Sequence, residues 1–114
     1  MHADRSLALF AKVAAHRGEI WTYSESQKFG SNALRVNGKI YAALTRSHRL
    51  LLKLPPTRTA ELLASKRAEP FESGGRVMNG WITLTAERAG DWIALSDEAF
   101  AFATTQTQPK RKSR

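Results

Sequence analysis

The sequence predicts an α+β domain: an antiparallel sheet built on a β-meander over about residues 33–54, with added short strands, flanked by N-terminal, middle and C-terminal helices. Three observations lead there. Asn37-Gly38 separates two apolar runs, and Asn-Gly is the strongest two-residue hairpin signal because both positions accept positive φ at little cost. Pro55-Pro56 then ends the meander, since proline cannot donate to a strand ladder. Helical periodicity, finally, is confined to segments near the start, middle and end of the chain.

The first helix spans about 6–17. Leu7, Phe10, Val13 and Ala14 share a face, Ser6 is a candidate N-cap and Gly18 a stop. Ile20, Trp21 and Tyr23 fit a short strand or an ordered loop over 19–27. The meander follows as Ala33–Val36, Lys39–Thr45 and Arg49–Leu54, with a second two-residue turn expected at Ser47-His48. Pro56 suits a first helical turn, so a short helix from about 56 to 66 buries Leu62 and Leu63. Glu69-Pro70-Phe71 and Gly74-Gly75 mark loop or edge structure, and Arg76–Met78 and Trp81–Leu84 read as short strands around Asn79-Gly80. Asp91 is a candidate N-cap for a last helix to about Ala103, whose apolar stripe is Trp92, Leu95, Ala99 and Phe102.

A chain of 114 residues with 42% apolar and 25% charged content supports one core. The expected division is a single domain over 1–104 and a disordered basic tail over 105–114. With no cysteine, disulfides and thiolate metal sites are excluded, which fits a reducing compartment. No apolar run nears the roughly 18 residues that span a bilayer, and the first residues lack a signal-peptide layout. The expected location is cytoplasmic, with no membrane partner.

Net charge is +8, from 18 basic and 10 acidic residues. Lys110, Arg111, Lys112 and Arg114 carry four of those charges in the tail, which leaves the domain mildly basic at +4. No acidic residue occurs between Glu25 and Glu61, whereas Lys28, Arg35, Lys39, Arg46, Arg49, Lys53 and Arg58 do. A positive field gathered on one part of a fold attracts polyanions.

Two-residue turns at both reversals give the meander two faces. Leu34, Val36, Tyr41, Ala43, Leu50, Leu52 and Leu54 would face the core. The other side would hold Arg35, Ile40, Ala42, Leu44, Arg46, Arg49, Leu51 and Lys53, a cationic surface able to lie against phosphates. An antiparallel sheet also turns such a face to water for no purpose but solvation. A one-residue slip in the second turn would exchange the faces of the third strand.

The other motifs point away from chemistry. Gly38-Lys39-Ile40 lacks the spacing and hydroxyl of a phosphate loop. His2, His16 and His48 lie on separate elements without a metal-ligand partner nearby. Asp97 and Glu98 are adjacent on a helix and point apart. Trp21, Trp81, Trp92, Tyr41 and Phe71 are the rings that could stack on bases; Trp92 belongs to a core stripe, whereas Trp81 follows the Asn79-Gly80 turn and fits either the core or an exposed turn. No catalytic, cofactor-binding or metal-binding residue is identified, and no enzyme activity is expected. The candidate nucleic-acid-binding residues are Arg35, Arg46, Arg49, Lys53, Lys110, Arg111, Lys112 and Arg114.

Lys28-Phe29-Gly30, the run Leu34 to Ala42 (Leu-Arg-Val-Asn-Gly-Lys-Ile-Tyr-Ala) and Leu50 to Pro55 come in a telling order. Glu69-Pro70-Phe71, Met78, Trp81 and Asp91-Trp92 follow them. In that order they resemble the N-terminal domain of TfoX/Sxy proteins and the neighbouring MmcQ/YjbR-like domains. The resemblance covers about residues 28–103. It implies an antiparallel sheet with flanking helices, a link to regulation of DNA-uptake competence, and the DNA-binding label of the YjbR-like relatives. It brings no enzyme activity, cofactor or binding residue with it, and Lys28 stands where the family carries Met. Two functional expectations result. One is a regulatory domain associated with DNA or RNA; the other is a small module docking on a transcription or regulatory protein.

Overall fold

The computed structural model describes residues 2–19, 21, 32–45 and 47–106. Among these, the chain runs α1 (His2–His16), β1 (Ala33–Val36), β2 (Lys39–Leu44), β3 (Leu50–Lys53), α2 (Pro56–Ala64), β4 (Glu69–Ser73), β5 (Arg76–Leu84), a 3-10 turn (Ala86–Arg88) and α3 (Ala89–Gln106). The strands form one antiparallel sheet in the order β1-β2-β3-β5-β4, so the α+β class is as expected. The expectations at Ile20 and Tyr23, at Lys28-Phe29-Gly30, at Arg46 and at Lys110–Arg114 lie outside the described residues.

α1 begins before Ser6, so that serine is not a cap but a buried position on the helix face, beside Phe10, Val13 and Ala14. The helix closes at Gly18: Glu19 N–H donates to Ala14 O and Gly18 N–H to Ala15 O, both at 2.9 Å, which occupies two carbonyls left free at the helix end. Trp21 packs edge-on against Phe10 at 4.7 Å. α2 starts with Pro56 in its first turn. α3 buries Trp92, Leu95, Ser96, Ala99 and Ala103 at helical spacing, with Trp92 Nε1–H donating to Thr85 O at 3.0 Å. Phe102, expected on that stripe, is half-buried.

The helices gather on one face of the sheet. Leu34, Tyr41, Ala42, Leu44, Leu50, Leu52, Ile82 and Leu84 meet Phe10, Val13, Leu62, Trp92, Leu95 and Ala99 in a single cluster. Each fully buried leucine, isoleucine, valine or phenylalanine among them contributes about 1.5–3 kcal/mol of transfer free energy. Arg58 ties α2 to α3 through Glu98, and Asp97 of α3 receives His16 and Arg17 from the end of α1.

Two irregularities correct the expected sheet faces. Leu34 pairs with Ala42 while Arg35 pairs with Ile40, so Tyr41 is an extra residue in β2. That bulge sends both Tyr41 and Ala42 to the core. Leu44 therefore faces the core and Ala43 the opposite side, the reverse of the expectation. The second reversal is not a two-residue turn either: Leu44 pairs with Leu50, and Thr45 N–H donates to Arg49 O across a longer loop with His48 at φ +65°. The bulge and the longer loop each shift the register by one residue. Their effects cancel in β3, where Leu50 and Leu52 point to the core and Leu51 and Lys53 away, as expected.

Candidate nucleic-acid interface

The β1–β2 turn sets the first part of the site. Asn37 at φ +52° and Gly38 at φ +81° reverse the chain in the two positions where positive φ is required. Arg35 is then paired with Ile40 and Val36 with Lys39. Two strands away, Lys53 of β3 pairs directly with Trp81 of β5. Opposed residues share a side of the sheet, so Arg35 and Ile40 lie together on the face away from the main core, as do Lys53 and Trp81.

β5 is irregular at this point. Pro70 pairs with Ile82 and Glu72 with Val77, which leaves Phe71 opposite the four residues Met78–Trp81. Gly80 sits in this kink at φ +87°, a backbone region that side-chain-bearing residues avoid. Leu54 N–H donates to Gly80 O at 2.9 Å, fixing the kink against the end of β3. A Cβ on Gly80 would lie 3.4 Å from Lys53 Nζ, so the lysine runs alongside the glycine. Its ammonium reaches 5.3 Å from the Trp81 ring centroid, within cation–π range.

Together these residues line a concavity of about 500 Å³ at the turn end of the sheet: Arg35, Lys39, Ile40, Lys53 and Trp81, with Gly38 at the turn and Ala103 from α3. Three cations, one aromatic ring and the aliphatic Ile40 and Ala103 thus converge, and among the described residues no acidic side chain contributes to the lining. Arg35 and Lys39 are exposed, and Ile40, Lys53 and Trp81 half-buried.

Described carboxylates are drawn to other parts of the fold. Asp97 binds His16 at 3.0 Å and Arg17 at 3.3 Å, Glu61 and Glu98 hold Arg58 at 3.1 and 2.8 Å, and Asp91 meets Arg67 at 3.3 Å. Glu69 of β4 pairs with Arg49. Among the described residues, no ion pair involves Lys39 or Lys53. Concentrated like charge raises the local potential, and a bound anion relieves the repulsion.

Of the candidates named from sequence, the structure brings Arg35 and Lys53 together. Arg49 does not line the concavity and is engaged with Glu69; Arg46 and the tail cations are outside the described residues. Sequence reasoning did not select Lys39, which pairs with Val36 and so was assigned no place on the cationic face. It left Trp81 undecided between the core and an exposed turn. The register across the Gly80 kink finds Trp81, whereas Lys39 keeps its expected pairing with Val36 and reaches the concavity from the turn. Among the described residues, no group of three or more His, Asp or Glu side chains is arranged to hold a metal, and no helix is long and apolar enough to cross a membrane.

Compared with protein-family models, with curated proteins and with solved structures, the chain matches none.

Proposed function

We propose that the chain is a non-enzymatic regulatory domain that binds nucleic acid through the concavity at the end of its sheet. The observation that carries this reading is the convergence of Arg35, Lys39 and Lys53 around Trp81, while Glu61, Glu69, Asp91, Asp97 and Glu98 are paired with cations elsewhere. Lysine and arginine clusters bind phosphates by releasing condensed counterions, and an aromatic ring beside them adds stacking with bases. The regulatory part of the proposal rests on the TfoX/Sxy and MmcQ/YjbR-like resemblance of the motifs. By sequence, Lys110, Arg111, Lys112 and Arg114 add four positive charges to the chain, which strengthens attraction to a polyanion.

Gel mobility of labelled DNA and RNA oligonucleotides tests the proposal. Intact protein and protein lacking residues 107–114 should both retard the oligonucleotide at about 50 mM salt and lose most of that affinity by about 200 mM. Unchanged mobility at the lower salt with both proteins would remove the proposal.

A second reading, docking on a regulatory protein, has one observation in its favour. Val77 and Met78 on β5 are exposed at 54% and 39%, on a strand pair whose residues Glu72–Asn79 face solvent. Exposed apolar side chains of this kind mark interaction surfaces when they are contiguous.

A further inference from the structure

We propose that the concavity takes an unpaired base, stacked on Trp81 with its phosphate held by Lys53, so that the ligand is single-stranded nucleic acid and not duplex. This rests on the nucleic-acid reading above and narrows its ligand class.

Shape is the first argument. Duplex is read by a helix or a two-stranded ribbon that enters a groove, with phosphate contacts to either side. Here the cations line a hollow. The ribbon that does stand out, β4–β5, carries Glu69 and Glu72 along with Arg76, so its charge does not favour entry into a phosphate-walled groove. The second argument is chemical. Trp81 is half-buried, with part of its surface open to the hollow, and base pairs in a duplex hide their faces from such a ring. An unpaired base has a face to offer, and stacking of this kind tolerates any sequence.

Third, the pairing of Lys53 with Trp81 sets a cation beside the aromatic ring, with Nζ 5.3 Å from its centroid. A nucleotide has the same layout, an anionic group joined by one sugar to a flat base. Ile40 supplies an apolar wall, and Arg35 and Lys39 continue the positive lining toward the β1–β2 turn, where neighbouring phosphates of the strand would lie. The volume of about 500 Å³ falls within the roughly 300–1,000 Å³ of small-molecule sites. That is room for a nucleotide and far less than a duplex face.

The test is titration of the full chain with oligo(dT), oligo(U) and a hairpin duplex of mixed sequence, each about 10–16 nucleotides long. Tryptophan emission and affinity are read together. Trp92 is buried and serves as an internal background. Oligo(dT) or oligo(U) should quench emission and bind at least about tenfold more tightly than the hairpin. Trp81→Leu should lose the quenching and about 5- to 150-fold in affinity, the span typical of a single stacked base. Trp81→Phe should keep most of the affinity, which separates lost stacking from a disturbed fold. Hairpin binding equal to or tighter than single strand, without quenching, would overturn the single-strand inference and leave the broader reading standing. No binding by any of the three probes would overturn both.

Discussion

Tyr41 is fully buried, and its hydroxyl has no hydrogen-bond partner among the described residues. The ring itself is well placed, edge-on to Phe100 at 5.2 Å, with Arg17 over the other aromatic at 3.9 Å. Burial first, then the nearby Glu19 carboxylate, push the phenol up to about 12 from an ordinary value of 10.0. The sign of the pH effect follows. Below pH 10 the phenol is protonated in both states and the shift changes nothing. Between about pH 10 and 12 the unfolded chain releases its proton while the folded chain holds it, so stability falls as pH rises, with a limiting slope of about 1.4 kcal/mol per pH unit. Tyr41→Phe should therefore flatten the alkaline loss of stability. At neutral pH it should be neutral or stabilising by about 1 kcal/mol, because it removes an unpaired buried hydroxyl. Urea midpoints of both proteins at about pH 8 and pH 11 check this. A large neutral-pH destabilisation by Tyr41→Phe would mean that the hydroxyl has a partner after all. At this scale the sequence revealed the core side chains, such as Trp92 and Leu52, through periodicity. It did not reveal Trp81 as the partner of Lys53, because their meeting depends on the pairing of β3 with β5 beside the kink at Gly80.

Elements show why pattern reading succeeds for strands and fails at their ends. The hairpin at Asn37-Gly38, the proline break before α2 and the stripe of α3 are local signals, and each holds in the fold. The β2 bulge is a tertiary solution: it brings Tyr41 and Ala42 onto the helices together, and no residue type announces it. The end of α2 is similar. Arg67 N–H donates to Leu62 O at 3.0 Å and Lys66 N–H to Leu63 O at 3.1 Å, the closing pattern usually built on glycine, yet the residue at positive φ is Lys66, at +63°. A side chain in that region costs about 1–2 kcal/mol, partly offset by the extra chain entropy that glycine loses on folding. Lys66→Gly should accordingly raise the stability by roughly 0.5–1 kcal/mol without altering the fold. Thermal unfolding measures it, and a lower midpoint would show that the lysine side chain holds the helix end.

Over the whole molecule, charge is distributed unevenly. Carboxylates of α2, α3 and β4 are spent on Arg58, Arg67, Arg17 and Arg49, while Arg35, Lys39 and Lys53 gather at the turn end around Trp81. The acid-free run from Glu25 to Glu61 made this asymmetry visible in sequence. Its location was not visible, since Arg49 and Arg58 belong to the same run and are paired with Glu69 and Glu98. The most direct measurement is the salt dependence of oligo(dT) affinity for the native chain and for a Lys39→Gln/Lys53→Gln double variant, between about 50 and 200 mM salt. The double variant should bind more weakly at low salt, and its log–log slope should be shallower by about 1.4, because each single-strand phosphate that is no longer neutralised removes about 0.7. An unchanged slope with unchanged affinity would place the binding surface somewhere other than this concavity.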